Sequence, residues 1–200
     1  PSSHKASSKT DQWDRRPACL PLLPLRPSVP PSLRRSVALS PYTPPMRVTR
    51  RVPQPAVALE TTLLLHGVPR SSAADLAARL ARTAAEHGAN PALTALVAGA
   101  PTLGLTDDEI RALLHAEHVP KANTANLGAL IHTKQHAATT VSTTVEIAAH
   151  AGVFLFATGG LGGVHRNYAH HLDVSADLAA LARFPVAVAC IGEFFVPVRC

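Results

Sequence analysis

ATGGLGGVHRNYAHHLDVSAD, residues 157–177, follows a short apolar run at 152–156 and holds a helix start at Ser175. Four glycines fall in five positions, and His165, Arg166, His170, His171 and Asp173 come close behind them. An apolar run, a Gly-rich turn and a cluster of imidazole and carboxylate groups is how a site looks at the end of a strand in an α/β protein. Glycines at this density cost backbone entropy, so they belong where the chain turns tightly or approaches a ligand closely. We read the stretch as a ligand loop, against the plainer alternative of a surface loop.

Working outward, apolar runs and helical patterns alternate. Ala56 to Leu65 reads as a strand carrying Glu60, and His66-Gly67-Val68-Pro69 as a turn. Ser71 or Ser72 is positioned to cap a helix from Ala73 to about His87, which Gly88 stops. Leu93 to Ala98 is the next strand, Gly99-Ala100-Pro101 turns it back, and Leu103 extends a hairpin. Thr106 with Glu109 predicts a capping box for a helix to about His115. Val119 to Ala122 is a short edge, and Asn123 is placed to cap a helix to about His132. Thr139 to His150 predicts a helix, Gly152 to Ala157 a strand, Ser175 to Arg183 a helix and Pro185 to Cys190 a strand. The alternation predicts an α/β/α sandwich with a mostly parallel sheet.

Composition sets the frame. The chain has 200 residues, 46% hydrophobic and 16% charged, enough for one sizeable core. No apolar run reaches the roughly 18 residues of a membrane span, so no membrane partner is expected. Three distant cysteines, Cys19, Cys190 and Cys200, argue against a disulfide scaffold or a cysteine-built zinc site. The formal charge of +6 is uneven: residues 1–55 hold ten Lys and Arg against two acids, whereas residues 56–200 hold nine against eleven. The basic character therefore belongs to the leader, and no nucleic-acid partner is expected. Twelve of the eighteen prolines also fall in residues 1–55. That composition predicts a disordered basic leader or a targeting segment, with the folded domain at 56–200. The location expected is cytoplasmic, or organellar if the leader is a transit segment.

ATGGLGGVHRNYAHHLDVSADLAALARFPVAVAC is similar to the pseudouridine-5′-phosphate glycosidase family, and the likeness extends upstream. AVALETTLLLHGVPR resembles that family's first strand and turn, HGANPALTALVAGAPTLGLTDDEI its next strand, hairpin and helix, and ATTVSTTVEIAAHAGVFLFATGG the helix before the Gly-rich loop. The resemblance covers roughly residues 56–190. It implies reversible cleavage of the C–C bond between uracil and ribose 5-phosphate, with a divalent cation, usually Mn2+, in a homotrimer. By motif it implies Glu60 as proton donor, and Lys121, Val141, Ser175, Ala176 and Asp177 as substrate contacts. It also implies Asp173 as the metal ligand. His165 and His170 match family positions and are read as hydrogen-bonding groups; His171 replaces a usual threonine. The residue chemistry is compatible with these roles. A carboxyl at the end of an apolar strand is a candidate general acid, and an aspartate is a hard oxygen ligand. The plainer roles are pairing for Glu60, helix capping for Asp173 and solvation for Lys121.

The sequence also departs from the family. A lysine nucleophile is implied in a CAGAK run, but here the run is CIGEF, which puts Phe194 at that position. The turn PxPQN reads PRSSA, and KVSRRDLP reads KANTANLG, without two arginines. We expect a sequence truncated after about residue 190 relative to the family, through a mis-joined gene model or divergence to a non-catalytic homologue that holds a pentose phosphate or joins an oligomer. A dinucleotide-binding reading of GGLGG fails, because the glycines do not follow GxGxxG.

Overall fold

Ala56, Val57, Ala58 and Leu59 are buried in succession, the pattern of a strand covered on both faces. The computed structural model describes residues 45–164 and 174–190. These four residues and Glu60 form β2 (Ala56–Glu60), preceded by the short β1 (Thr49–Arg50). A single π-helical turn at Leu63–Gly67 leads to α1 (Arg70–Glu86) and β3 (Asn90–Val97). Then come β4 (Ala100–Leu103), α2 (Asp107–His115), β5 (Lys121–Ala122), α3 (Leu127–His132) and β6 (Ala137–Thr139). The buried helix α4 (Val141–His150), β7 (Leu155–Thr158), α5 (Ala176–Arg183) and β8 (Ala187–Cys190) complete the described order.

The strands form one mixed sheet in the order β1-β4-β3-β2-β7-β8, with β6 on β3 and β5 on β6. Strands β3, β2, β7 and β8 run parallel, as do the β1–β4 and β5–β6 pairs. The β3–β4 and β3–β6 pairs are antiparallel. Side chains alternate across the strands with period two and divide the core. Ala56, Ala58, Ala92, Leu96 and Phe156 pack with α4 and α5. Leu59 and Leu93 pack with Ala73 and Ala77 of α1. Helices therefore cover both faces of a mostly parallel sheet, as the alternation of patterns predicted.

Several boundaries differ from the sequence reading, each for a physical reason. The first strand stops at Glu60 rather than Leu65. Beyond Thr94 the edge of β3 is taken by β6, with Ala95 opposite Ala138 and Leu96 opposite Ala137. A threonine knot seals the handover. Thr61 Oγ1 donates to the Thr94 carbonyl at 2.8 Å, Thr139 N–H donates to Thr61 Oγ1 at 3.0 Å, and Thr62 Oγ1 donates to the Thr139 carbonyl at 2.8 Å. Leu64 and Leu65 instead find burial from the π-helical turn. Helix α1 starts at Arg70 with Pro69 in the cap position, so neither Ser71 nor Ser72 is the cap. Asn123 caps the turn before α3 rather than the helix, accepting from the N–H groups of Ala125 and Asn126. The hairpin turns at Ala98-Gly99, and Ala100 and Pro101 already belong to β4. Gly99 has φ +77°, and a Cβ there would lie 2.7 Å from the Ile131 carbonyl oxygen. Helix α4 closes as a Schellman motif, Val153 N–H to Ala148 and Gly152 N–H to Ala149, which delays β7 to Leu155.

The folded part also begins before residue 56. Met46, Val48 and Val52 pack on the core, and β1 pairs with β4. Arg51 forms a bidentate pair with Glu109, at 2.5 and 3.0 Å. The expected leader is thus corrected for residues 46–55, and its remainder, residues 1–44, lies outside the described residues. No helix among the described residues is long and apolar enough to cross a membrane.

Candidate active site

Strand β2 delivers Glu60 to the C-terminal edge of the sheet because its preceding residues are committed to the core. The neighbouring parallel strand β7 ends in Thr158 at the same edge, with Gly159 and Gly160 following it. From the other side comes Lys121, whose carbonyl is held by the Asn126 side-chain amide at 3.0 Å. Glu60, Lys121, Gly159 and Gly160 line a cleft of ≈ 240 Å³ with Thr62, Leu63, His66 and Gly67. Such a crevice beyond the carboxyl ends of parallel strands is the usual ligand position in open α/β sheets. A larger hollow of ≈ 280 Å³ lies between α1 and α2, but alanine, leucine and isoleucine dominate its lining. Acid–base groups converge in the Glu60 cleft instead.

Glu60 is partly buried, and burial is the main force holding its carboxyl above the ordinary range. A hydrogen bond from Thr158 Oγ1, at 2.5 Å, opposes that rise. The Asp177 charge adds to the rise and the Lys121 charge offsets it. His66 is held below the ordinary imidazole value, first by burial, then by Lys121; Arg70 and His118 act the same way, and a bond with the Val119 backbone opposes them. The cleft therefore offers a carboxyl biased toward its protonated form, an imidazole biased toward neutrality and one ammonium group. That set can donate a proton to a bound molecule and hold an anionic group beside it.

Asp177 has a different task. It is 8% exposed and accepts two backbone hydrogen bonds at 2.9 Å, Oδ1 from Ser142 in the first turn of α4 and Oδ2 from Gly162 in the Gly-rich loop. A carboxylate suits the positive end of a helix, and here it ties that end to the loop. Ser175 Oγ accepts from Asp177 N–H at 3.2 Å and caps α5, which begins at Ala176. Ser175 N–H also donates to the Gly163 carbonyl at 2.9 Å. A Cβ on Gly162 would sit 2.2 Å from Ser175 Oγ, so only glycine fits. A Cβ on Gly159 or Gly160 would meet nothing within 4 Å. Those two glycines leave room at the cleft wall.

The structure thus brings Glu60 and Lys121 into one cleft. It places Ser175, Ala176 and Asp177 behind the Gly-rich loop rather than in the cleft lining. Val141 opens α4 with its side chain in the core. Asp173, expected as the metal ligand, and His165, His170, His171 and Phe194 lie outside the described residues. Among the described residues no group of three or more His, Cys, Asp or Glu is arranged to hold a metal ion. Sequence reasoning missed His66 and Thr158. Their signals were local: a histidine six residues past the acid, and a threonine at the end of an apolar run just before glycines.

The family described as "Indigoidine synthase A like protein" matches residues 47–194. The chain belongs to that family. Relatives of this indigoidine synthase A-like chain are named pseudouridine-5′-phosphate glycosidase. The protein from Salinispora tropica is 45% identical over 142 residues, covering 71% of this chain and 44% of that protein. The one from Methylobacterium nodulans is 41% identical over 151 residues, covering 76% and 45%. An indigoidine synthase A-like protein from Thermotoga maritima superposes with a TM-score of 0.68 at 28% identity, covering 78% of this chain and 52% of that one. The prealnumycin C-glycosynthase AlnA, solved in complex with ribulose 5-phosphate, gives a TM-score of 0.65 at 30% identity, covering 72% and 50%. The chain spans less than half the length of these two curated relatives.

Proposed function

We propose that this chain carries the acid-bearing part of a site that cleaves or forms the C–C bond between uracil and ribose 5-phosphate. The observation that carries the reading is Glu60, its carboxyl kept toward the protonated form by burial, facing the same cleft as Lys121. Support comes from relatives named for pseudouridine 5′-phosphate and from a structural neighbour solved with a pentulose phosphate. In this reading Glu60 delivers its proton to the base as the bond to the sugar breaks, and Lys121 meets an anionic group of the substrate as a point charge. Gly159 and Gly160 form one wall, and Asp177 fixes the loop through Gly162. Ser175 and Ala176 then serve the loop's frame, and Val141 contributes through its backbone at the start of α4.

A divalent cation, manganese first, is proposed at Asp173, the residue before Val174 in sequence. Its hard oxygen donors suit such an ion, which would neutralise anionic charge on the substrate. A homotrimer and a cytoplasmic or organellar location are further proposals drawn from the resemblance.

A second reading is favoured by one sequence fact. Phe194 stands where the resemblance implies a lysine, and phenylalanine cannot bond to a sugar carbon as an amine does. The chain would then hold a pentose phosphate without turnover. Uracil release from pseudouridine 5′-phosphate with manganese present separates the two. We expect release far below that of a full-length relative, by at least about 100-fold, because positioning and the nucleophile both matter. Turnover at a relative's rate, lost in Glu60→Gln, would favour the first reading outright.

A further inference from the structure

Thr158 stands between the acid and the Gly-rich loop, and its one hydroxyl hydrogen has two acceptors within reach. It is 8% exposed, at the end of β7. Its Oγ1 lies 2.5 Å from Glu60 Oε1 and 3.0 Å from the Gly160 carbonyl oxygen, and it accepts from Gly160 N–H at 3.3 Å. One hydroxyl hydrogen cannot serve both acceptors together. An ionised Glu60 only accepts, so it draws the Thr158 hydrogen. A protonated Glu60 gains an O–H of its own, donates it to Thr158 Oγ1, and frees the threonine hydrogen to turn to Gly160.

We propose that Thr158 is a positioning residue that couples the protonation state of Glu60 to the hydrogen bonding of the Gly-rich loop at Gly160. Only one proton is gained or lost, on Glu60; the Thr158 hydrogen rotates about its C–O bond and no covalent bond to it breaks. The Gly160 carbonyl gains a donor when the acid is loaded and loses it when the proton leaves. The same loop is fixed two residues past Gly160 by Gly162 N–H on Asp177, so a change at Gly160 is confined between two anchored points. Charged and titratable groups facing Glu60 are Asp177 from α5 and Lys121 from β5, and His66 from the π-helical turn lines the same cleft. Asp177 and Lys121 shift the Glu60 midpoint in opposite directions, but none of the three bonds Gly160 in the described structure.

The proposal rests on Glu60 being the titrating acid of the cleft, yet its test needs no substrate. In the full 200-residue chain, side-chain carboxyl carbons and backbone amides are followed by NMR across pH. The Glu60 carboxyl and the Gly160 amide should titrate with one shared midpoint. Thr158→Val removes the donor to the carboxylate, so the Glu60 midpoint should rise, by on the order of half a pH unit or more. The Gly160 amide should then lose its titration at that midpoint, and Thr158→Ser should restore both. A wild-type Gly160 amide that ignores the Glu60 midpoint would overturn the proposal, even if Thr158→Val does not fold. So would a Thr158→Val protein with an unmoved Glu60 midpoint. Coupling present without binding of any pentose phosphate would count for the Thr158 relay and against the functional reading.

Discussion

Glu60 is a carboxyl placed where its charge is costly. Burial holds it above the ordinary range, so between the unfolded and folded values the folded chain binds the extra proton. Protonated Glu60 is fully compatible with the fold below the unfolded value, and that benefit is lost as pH rises through the folded value. Glu60→Gln keeps the shape and removes the titration. It should raise the thermal midpoint at pH 8 relative to wild type and change it little at pH 4, read from melting curves at both pH values; equal changes at both would show the acid carries no such cost. Such a trade of stability for function is common at sites. Gly162 is constrained sterically instead. Gly162→Ala drives a Cβ into Ser175 and the Asp177 carboxylate. We expect a loss of about 1–3 kcal/mol in urea unfolding, the usual cost of overpacking. Gly159→Ala and Gly160→Ala should stay within about 0.5 kcal/mol, since nothing lies near their added carbons. The role of Thr158 was invisible in one dimension because its partners are Glu60, 98 residues earlier, and a loop carbonyl.

At the scale of elements, what the sequence disclosed depended on whether the cause was local. The capping box at Thr106 and Glu109 is present as read, with both reciprocal bonds formed. Ser175 caps its helix, and the αL glycine at 152 ends α4. These are contacts within a few residues. The end of β2 is not local: the apolar run continues past Glu60, and only the arrival of β6 on the β3 edge stops the strand. The arm at 46–55 was hidden for the same reason. Its prolines and arginines read as an unfolded tail, while Arg51 finds Glu109 of the capping box 58 residues away. That ion pair holds the Glu109 carboxyl below its ordinary value, chiefly through the Arg51 hydrogen bond. Its contribution is therefore present above the unfolded carboxyl value and fades as pH falls through the folded one. Arg51→Ala should cost roughly 0.5–1 kcal/mol at pH 7, the upper range for a partly exposed pair, and less at pH 3. Denaturant titrations at both pH values check it, and a loss that does not shrink in acid would point to packing rather than charge.

For the whole molecule, alternating strand and helix patterns were enough to give a sheet with helices on both faces. The hairpin to β4 was legible from its glycine turn, but strand order was not, because the antiparallel arrival of β6 depends on the threonine knot between distant residues. The candidate site was legible in part: Glu60 and Lys121 meet in one cleft, while Asp177 and Ser175 proved to frame the loop behind it. A cleft built this way should recognise a small phosphorylated sugar even if bond cleavage is absent. The most direct measurement is therefore binding of ribose 5-phosphate to the wild-type chain and to Lys121→Ala, by calorimetry or NMR titration. The account predicts saturable binding to the wild type, perturbing residues around Glu60 and Gly160, and at least about tenfold weaker binding after loss of the ammonium group. No binding, or binding of equal strength by both proteins, would contradict it.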